Sequence, residues 1–335
     1  MYTGYTKRQR PHNKKENIKM ENRISTITAG LTAFENTAYT KKDVLTELLK
    51  LQDQMGNGLP ELKATKSKPR INDILKYFKA RNADLKNVAA TELNEFEELS
   101  AQFGNRVSAE ISGLEGERLA YKSLQTISRP CKLLRNVELK FEDHVTEIDI
   151  VAITNGGIFL VEVKNSIRDI IITENGNYKR VNRNGEIVLD KNIGVQMNEK
   201  EHIMRSVLKS AGIENVNIQS LVVFTNSKIN VDNRYPYIKE CFLSDLPHII
   251  ENYENTVQYR IKTLNRVAEV IIGARSNDSW PIKMDIPAFK EAYAKLLDKL
   301  QTAEENKSLR WDIKLASLFS GFFKKAAKAA CFMFN

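Results

Sequence analysis

Two carboxylates and an ammonium stand out for the company they keep. Asp149 lies in the run Thr146–Ile153, and Glu162 and Lys164 lie in Ile158–Asn165; both runs are otherwise largely apolar, and Asn155-Gly156 falls between them. Asn-Gly between two β-rich runs is a strong hairpin signal. With Asn155 and Gly156 as a two-residue turn, Asp149 faces Glu162 across the ladder, at a Cβ separation of about 4.5–5.5 Å. Strand side chains alternate, so Lys164 shares the face of Glu162. Opposed anions in apolar strands need a counter-charge, and a divalent cation held by oxygen ligands supplies one.

A register shifted by two, with Gly156-Gly157 in the turn, instead sets Asp149 against Lys164 as an ordinary ion pair. Glu147 is a second candidate partner for Lys164 in the first register. Burial weighs for the cation, because a buried ion pair is a poor device for stability.

The elements that must position these groups can be read from periodicity. Strands are expected at Leu133–Lys140, Glu147–Thr154, Ile158–Asn165 and Ile218–Thr225, and a small β excursion at Tyr178–Leu189 is punctuated by Asn175-Gly176 and Asn184-Gly185. Before them, Thr40 with Asp43 resembles a capping box opening a helix that carries Val44, Leu45, Leu48, Leu49 and Leu51. Asn57–Pro60 breaks that helix, Lys63–Arg70 reads as a basic linker, and Ile71, Ile74, Leu75 and Phe78 mark a short helix. Leu93, Phe96, Leu99, Phe103, Val107, Ile111 and Leu114 form one stripe along a long helix. Residues 198–211 read as a helix, Val257–Ile271 as another stopped by Gly273, and the chain from Pro287 onward as helical again.

Composition bounds the class. A chain of 335 residues, 42% hydrophobic and 28% charged, can fill a core, which excludes collagen-like and low-complexity proteins. Cys131, Cys241 and Cys331 lie far apart, against a disulfide framework or a cysteine-built zinc site. No stretch approaches the roughly 20 apolar residues that cross a bilayer, and the first residues lack an apolar signal region. A soluble cytoplasmic protein is the expectation. The net charge of +9 is concentrated: residues 1–23 carry seven Lys/Arg against two acids, and 306–335 carry six against one. Basic ends on a nearly neutral body suit a polyanion, and equally suit plain solubility.

The ordered set of residues resembles the PD-(D/E)XK nuclease superfamily and, within it, the nuclease-related domain (NERD) family. The matching positions are Gly113-Leu-Glu-Gly-Glu117, Ile148-Asp149, Phe159–Asn165, the segment Asn192–Gln196 with His202, and Val222–Thr225. Two positions depart: Ile148 precedes Asp149 where the superfamily has Pro, and Ile193 follows Asn192 where the family has Pro. The resemblance covers roughly residues 113–250 and implies an α/β, restriction-endonuclease-like core, a mixed central sheet flanked by helices, with mainly helical N- and C-terminal extensions.

It also implies a function, namely Mg²⁺- or Mn²⁺-dependent hydrolysis of phosphodiester bonds, most readily of DNA, in defence against foreign DNA or in repair. The implied metal ligands are Asp149, Glu162 and the Val163 carbonyl, with Glu117 completing the shell. Lys164 would orient water or steady phosphate charge, and Gln196 would position the phosphate or Lys164. Next to the hairpin, Lys179, Arg180 and Arg183 form a basic flap able to grip phosphates, or are solvated loop charges. His202 reads as a helix-surface residue.

The expected division of the chain is a basic arm (1–22), a helical region (23–108), the nuclease-like domain (109–250) and a helical C-terminal region (251–335). The N-terminal helices suggest a homo-oligomer. The last helix, with Trp311, Leu315, Leu318, Phe319, Phe322 and Phe323 opposite Lys314, Lys324, Lys325 and Lys328, suits a membrane surface, a partner groove or its own core. The competing reading of the whole is a non-catalytic scaffold that binds nucleic acid or recruits a partner on a nuclease fold.

Overall fold

The computed structural model describes residues 37–38, 41–254, 258–276, 280–282 and 284–333, with side-chain surroundings from 43 to 309. The basic arm 1–22, Thr40 of the expected capping box, Val257, and the apolar and basic side chains from Trp311 onward lie outside the described residues. No helix among the described residues is long and apolar enough to cross a membrane. Thr46–Val107 with Pro281–Asn335 form one compact unit, and Thr37–Leu45 with Ser108–Trp280 another.

The first unit is helical. Helix α1 spans Lys41–Asn57, α2 Pro60–Thr65, α3 Ile71–Asp84, α4 Ala90–Leu124 and α8 Ile286–Met333, with α1 up to Leu45 and α4 from Ser108 onward belonging to the second unit. The α1–α2 break falls at Gly58-Leu59, and Pro60 opens α2, where its missing N–H costs nothing. Residues 63–65 close α2, so the expected linker shrinks to 66–70: four helix-compatible residues follow a proline pre-set for a first turn. Its core is aromatic, with Phe103 stacked on Phe289 at 4.7 Å and Phe96 on the same ring at 5.7 Å. The Tyr293 hydroxyl donates to the Met55 carbonyl at 2.8 Å, satisfying a buried acceptor at the end of α1.

Helix α4 departs from the expected stripe in its second half. Ile111 is half exposed, and burial runs through Phe96, Phe103, Glu110, Glu117 and Leu124, a spacing of seven throughout. Two carboxylates therefore occupy positions that the pattern reserves for apolar side chains.

The second unit is built on a five-stranded mixed sheet. In chain order its strands are β1 (Cys131–Phe141), β2 (His144–Thr154), β3 (Gly157–Lys164), β7 (Ile218–Phe224) and β9 (Lys239–Phe242), arranged β9-β7-β3-β2-β1. β3, β7 and β9 run parallel, and the β1–β2–β3 meander is antiparallel. One face packs on α5 (Ile193–Ser210) and α7 (Ile261–Gly273), burying Ile148, Leu160, Val222 and Phe224 with Met197, Met204, Leu264 and Ile271. The other buries Ile150, Phe159, Val161 and Val223 against Ala120 and Leu124 of α4 and against α6 (Leu246–Glu251). The expected α/β fold, a mixed sheet flanked by helices, is the one observed.

A second, four-stranded mixed sheet contains β4 (Asp169–Ile172), β5 (Asn177–Val181), β6 (Ile187–Asn192) and β8 (Val231–Asn233), ordered β6-β5-β4-β8. The two expected turns sit here, with Gly176 at φ +80° and Gly185 at φ +81°.

Candidate metal centre

The β2–β3 hairpin takes the register that the Asn155-Gly156 turn specifies. Thr154 pairs with Gly157 and Ile150 with Val161, which excludes the alternative shifted by two. The left-handed position is Gly157 at φ +152°, where an added Cβ would lie 2.8 Å from the Asn217 carbonyl. The pairing ends at Ile150, and Asp149 uses its side chain instead: its Oδ2 accepts the Val163 amide at 2.8 Å.

Asp149 also interrupts the other edge of β2. The β1–β2 ladder pairs Arg135 with Ile150 and Val137 with Ile148, skipping Asn136 and Asp149, and Asn136 sits at φ +48°. Alternation breaks at this point, because Ile148 and Val151, three residues apart, pack into the same face. Asp149, Glu147 and Glu117 of α4 consequently meet, with one carboxylate oxygen of each within 4.8 Å of the others. Glu117 is 2% exposed and Asp149 3%. Opposite Glu147 in the ladder stands Glu138, also buried.

The close approach of α4 to the hairpin depends on Gly116. A Cβ there would sit 2.9 Å from the Asn165 Cβ and 3.4 Å from Val163 Cγ1. Asn165 in turn donates to the Ser112 carbonyl at 2.9 Å and accepts from the Thr225 hydroxyl at 2.6 Å. The glycine before Glu117 thus lets the helix rest against the end of β3.

Glu162 lies in a cationic setting of its own. Lys164 Nζ and Gln196 Nε2 donate to its Oε1 at 2.7 and 3.0 Å, and the buried Lys200 ammonium donates to its Oε2. Burial pushes the Glu162 carboxyl up, but the two lysines outweigh it and hold the group well below the usual carboxylate range. Lys164 Nζ also lies 5.8 Å from the centroid of the buried Tyr178 ring, within reach of a cation–π contact. The Gln196 Oε1 atom is buried and accepts no hydrogen bond from the described residues.

The site residues expected from sequence therefore fall into two neighbouring groups. Glu117 and Asp149 come together, as do Glu162, Lys164 and Gln196, and the Asp149–Val163 hydrogen bond joins the groups. Lys179, Arg180 and Arg183 lie on and after β5 in the second sheet, where Arg180 is paired with Asp190 at 3.3 Å and Arg183 is exposed. His202 is exposed on α5. Two residues escaped the sequence reading in these roles. Lys200 was signalled by its position four after Gln196, on the same helix face. Glu147 was signalled only as two before Asp149, but the broken alternation makes that spacing unreliable.

The donor set suits a hard divalent cation. Among the described residues the sheet unit buries five carboxylates, Glu110, Glu117, Glu138, Asp149 and Glu162, and two of them, Glu117 and Asp149, meet with Glu147. Buried charge is retained where it is paired or coordinates metal, and oxygen-only ligands select ions of the magnesium and calcium type.

Residues 112–225 match the family model described as nuclease-related domain, NERD, over the segment that contains both groups. The resemblance read from the motifs is borne out across that segment. No curated protein and no solved structure matches the chain.

Proposed function

We propose that the sheet unit is a metal-dependent phosphodiesterase acting on DNA. The observation that carries this reading is the Glu117–Glu147–Asp149 cluster, joined through the Val163 amide to the Glu162–Lys164 pair, inside a nuclease-related domain.

Glu117, Glu147 and Asp149 would hold the cation, with Glu162 and the Val163 carbonyl as the further ligands that the resemblance implies. A bound Mg²⁺ or Mn²⁺ would polarise a phosphoryl oxygen and lower the pKa of a coordinated water. Lys164 supplies a compact ammonium to offset charge on the phosphate or to orient the attacking water. Glu162, locked by Lys200 and Gln196, positions Lys164 until substrate arrives. Once a phosphate draws Lys164 away, Glu162 Oε1 is left with the Gln196 amide alone among these donors and gains capacity as a ligand. Lys179 and the exposed Arg183 grip flanking phosphates without reading bases.

The test is cleavage of plasmid DNA and labelled single strands with Mg²⁺, Mn²⁺ or EDTA, comparing the wild type with Asp149→Ala and Lys164→Ala. Metal-dependent cutting lost in both variants supports the hydrolase. Intact DNA binding without cutting under any metal supports the scaffold reading.

A further inference from the structure

At the C-terminal ends of the parallel strands β7 and β9 a cleft of about 510 Å³ opens beside α4. This is where ligands settle on open α/β sheets, and the volume lies in the range of small-molecule sites. Its half-buried lining combines Leu119 of α4, Phe242 of β9 and Leu243 just beyond with Ser123 and Thr225, whose hydroxyls donate to the Leu243 carbonyl and to Asn165 and leave the floor largely apolar. Its exposed lining is polar: Lys122, Ser227 and Ser244.

The polar groups differ in what they offer. Lys122 presents a positive charge at the mouth. The Ser244 hydroxyl lies 3.3 Å from Asp245 Oδ1 and gives its proton there, so toward a ligand it presents lone pairs. An apolar floor, an acceptor and a separate cation match a flat heteroaromatic ring that bears N–H groups and is joined to a phosphate.

The cleft and the metal centre share walls. Thr225, which also lines the cleft, donates to Asn165, the residue after Lys164. Leu119 lies two residues after Glu117 on α4. From β3 to β9 is two strand spacings, about 10 Å, so one substrate strand can reach both.

We propose that this cleft holds one unstacked nucleotide of the substrate strand, with its base on Leu119, Phe242 and Leu243 and its phosphate at Lys122. The proposal rests on the nuclease reading and adds a strand preference to it, since a base paired in a duplex cannot enter. The probes are a short fluorescein-labelled oligothymidylate and its duplex with oligodeoxyadenylate, bound to the full chain in EDTA and followed by anisotropy. Ser244→Trp fills the cleft and Lys122→Glu reverses its charge; both positions are exposed, and circular dichroism checks each fold. Single-strand Kd should rise about tenfold in each variant while duplex Kd changes less than about twofold. Unchanged single-strand binding in both variants, an equal loss on duplex, or no single-strand binding by the wild type overturns the proposal. A wild type that binds single strands through the cleft, yet cuts nothing with Mg²⁺ or Mn²⁺, sinks the nuclease reading and leaves the nucleotide site standing.

Discussion

The Asp149 carboxylate accepts the backbone amide of Val163 at 2.8 Å, taking over a hydrogen bond where the β2–β3 ladder stops. One oxygen of the side chain thereby closes the hairpin, and the carboxylate as a whole belongs to the acidic cluster with Glu117 and Glu147. A single residue couples the geometry of the Glu162–Lys164 strand to the charge of the cluster.

Substitutions at Asp149 should therefore separate structure from chemistry. Asp149→Asn keeps an acceptor for Val163, and the fold should survive with little loss while metal-dependent cleavage disappears. Asp149→Ala takes the acceptor from a half-buried N–H and should cost about 1 kcal/mol in addition. Urea denaturation beside a cleavage assay distinguishes the two, and equal stability of both variants would contradict this role for the hydrogen bond.

Lys200→Met removes one of the two ammoniums on Glu162, at a position 3% exposed. Breaking a buried pair should cost about 3–5 kcal/mol. Adding Glu162→Gln should recover part of that loss, because the buried carboxylate is gone and the Lys164 ammonium left behind is part-exposed. A double-mutant cycle by chemical denaturation reads the coupling, and strict additivity would show that the contact carries no energy.

Acid should expose the same network. The Glu162 carboxyl is depressed below its ordinary 4.5 in the folded chain. Its contribution is thus fully present above 4.5 and is lost as pH falls below that value toward the folded one. Unfolding free energy measured from pH 7 to pH 3 should drop below about pH 4.5 in the wild type, and by less in Glu162→Gln. Parallel curves for the two proteins would argue against the assignment.

Divalent cations should stabilise the sheet unit if the acidic cluster holds one. At ten times Kd the gain is about 1.4 kcal/mol, a rise in Tm of roughly 3–6 °C for a unit of this size. Glu117→Gln and Glu147→Gln should each shrink the rise, measured with Mg²⁺ or Mn²⁺ against EDTA. A rise that persists undiminished in both variants would place the ion elsewhere.

The hairpin register was legible because turn length fixes pairing, and Asn155-Gly156 leaves little freedom. The grouping of the carboxylates was not. It depends on the interruption at Asn136 and Asp149, and a positive φ at an asparagine has no signature in hydrophobic pattern. The excursion after β3 was visible through its glycine turns, but its parallel partner Val231–Asn233 comes from a segment some sixty residues away. Long-range pairing of three-residue strands leaves almost no local trace. Helix α4 misled in an instructive way: Val107, Ile111 and Leu114 look like core, yet Glu110 and Glu117 are the residues buried.

That helix has a further property. Within the sheet unit its buried positions Glu117, Ala120 and Leu124 recur at three and four residues, so Glu117 reaches the cluster by virtue of a count of residues as much as by its chemistry. One residue inserted between Glu117 and Ala120 would rotate Glu117 by about 100° against the positions that pack on the sheet, and every functional side chain would be retained but wrongly aimed. The segment from Glu117 to Leu124 is therefore a ruler, indifferent to exchanges of its exposed side chains and intolerant of any change in its length.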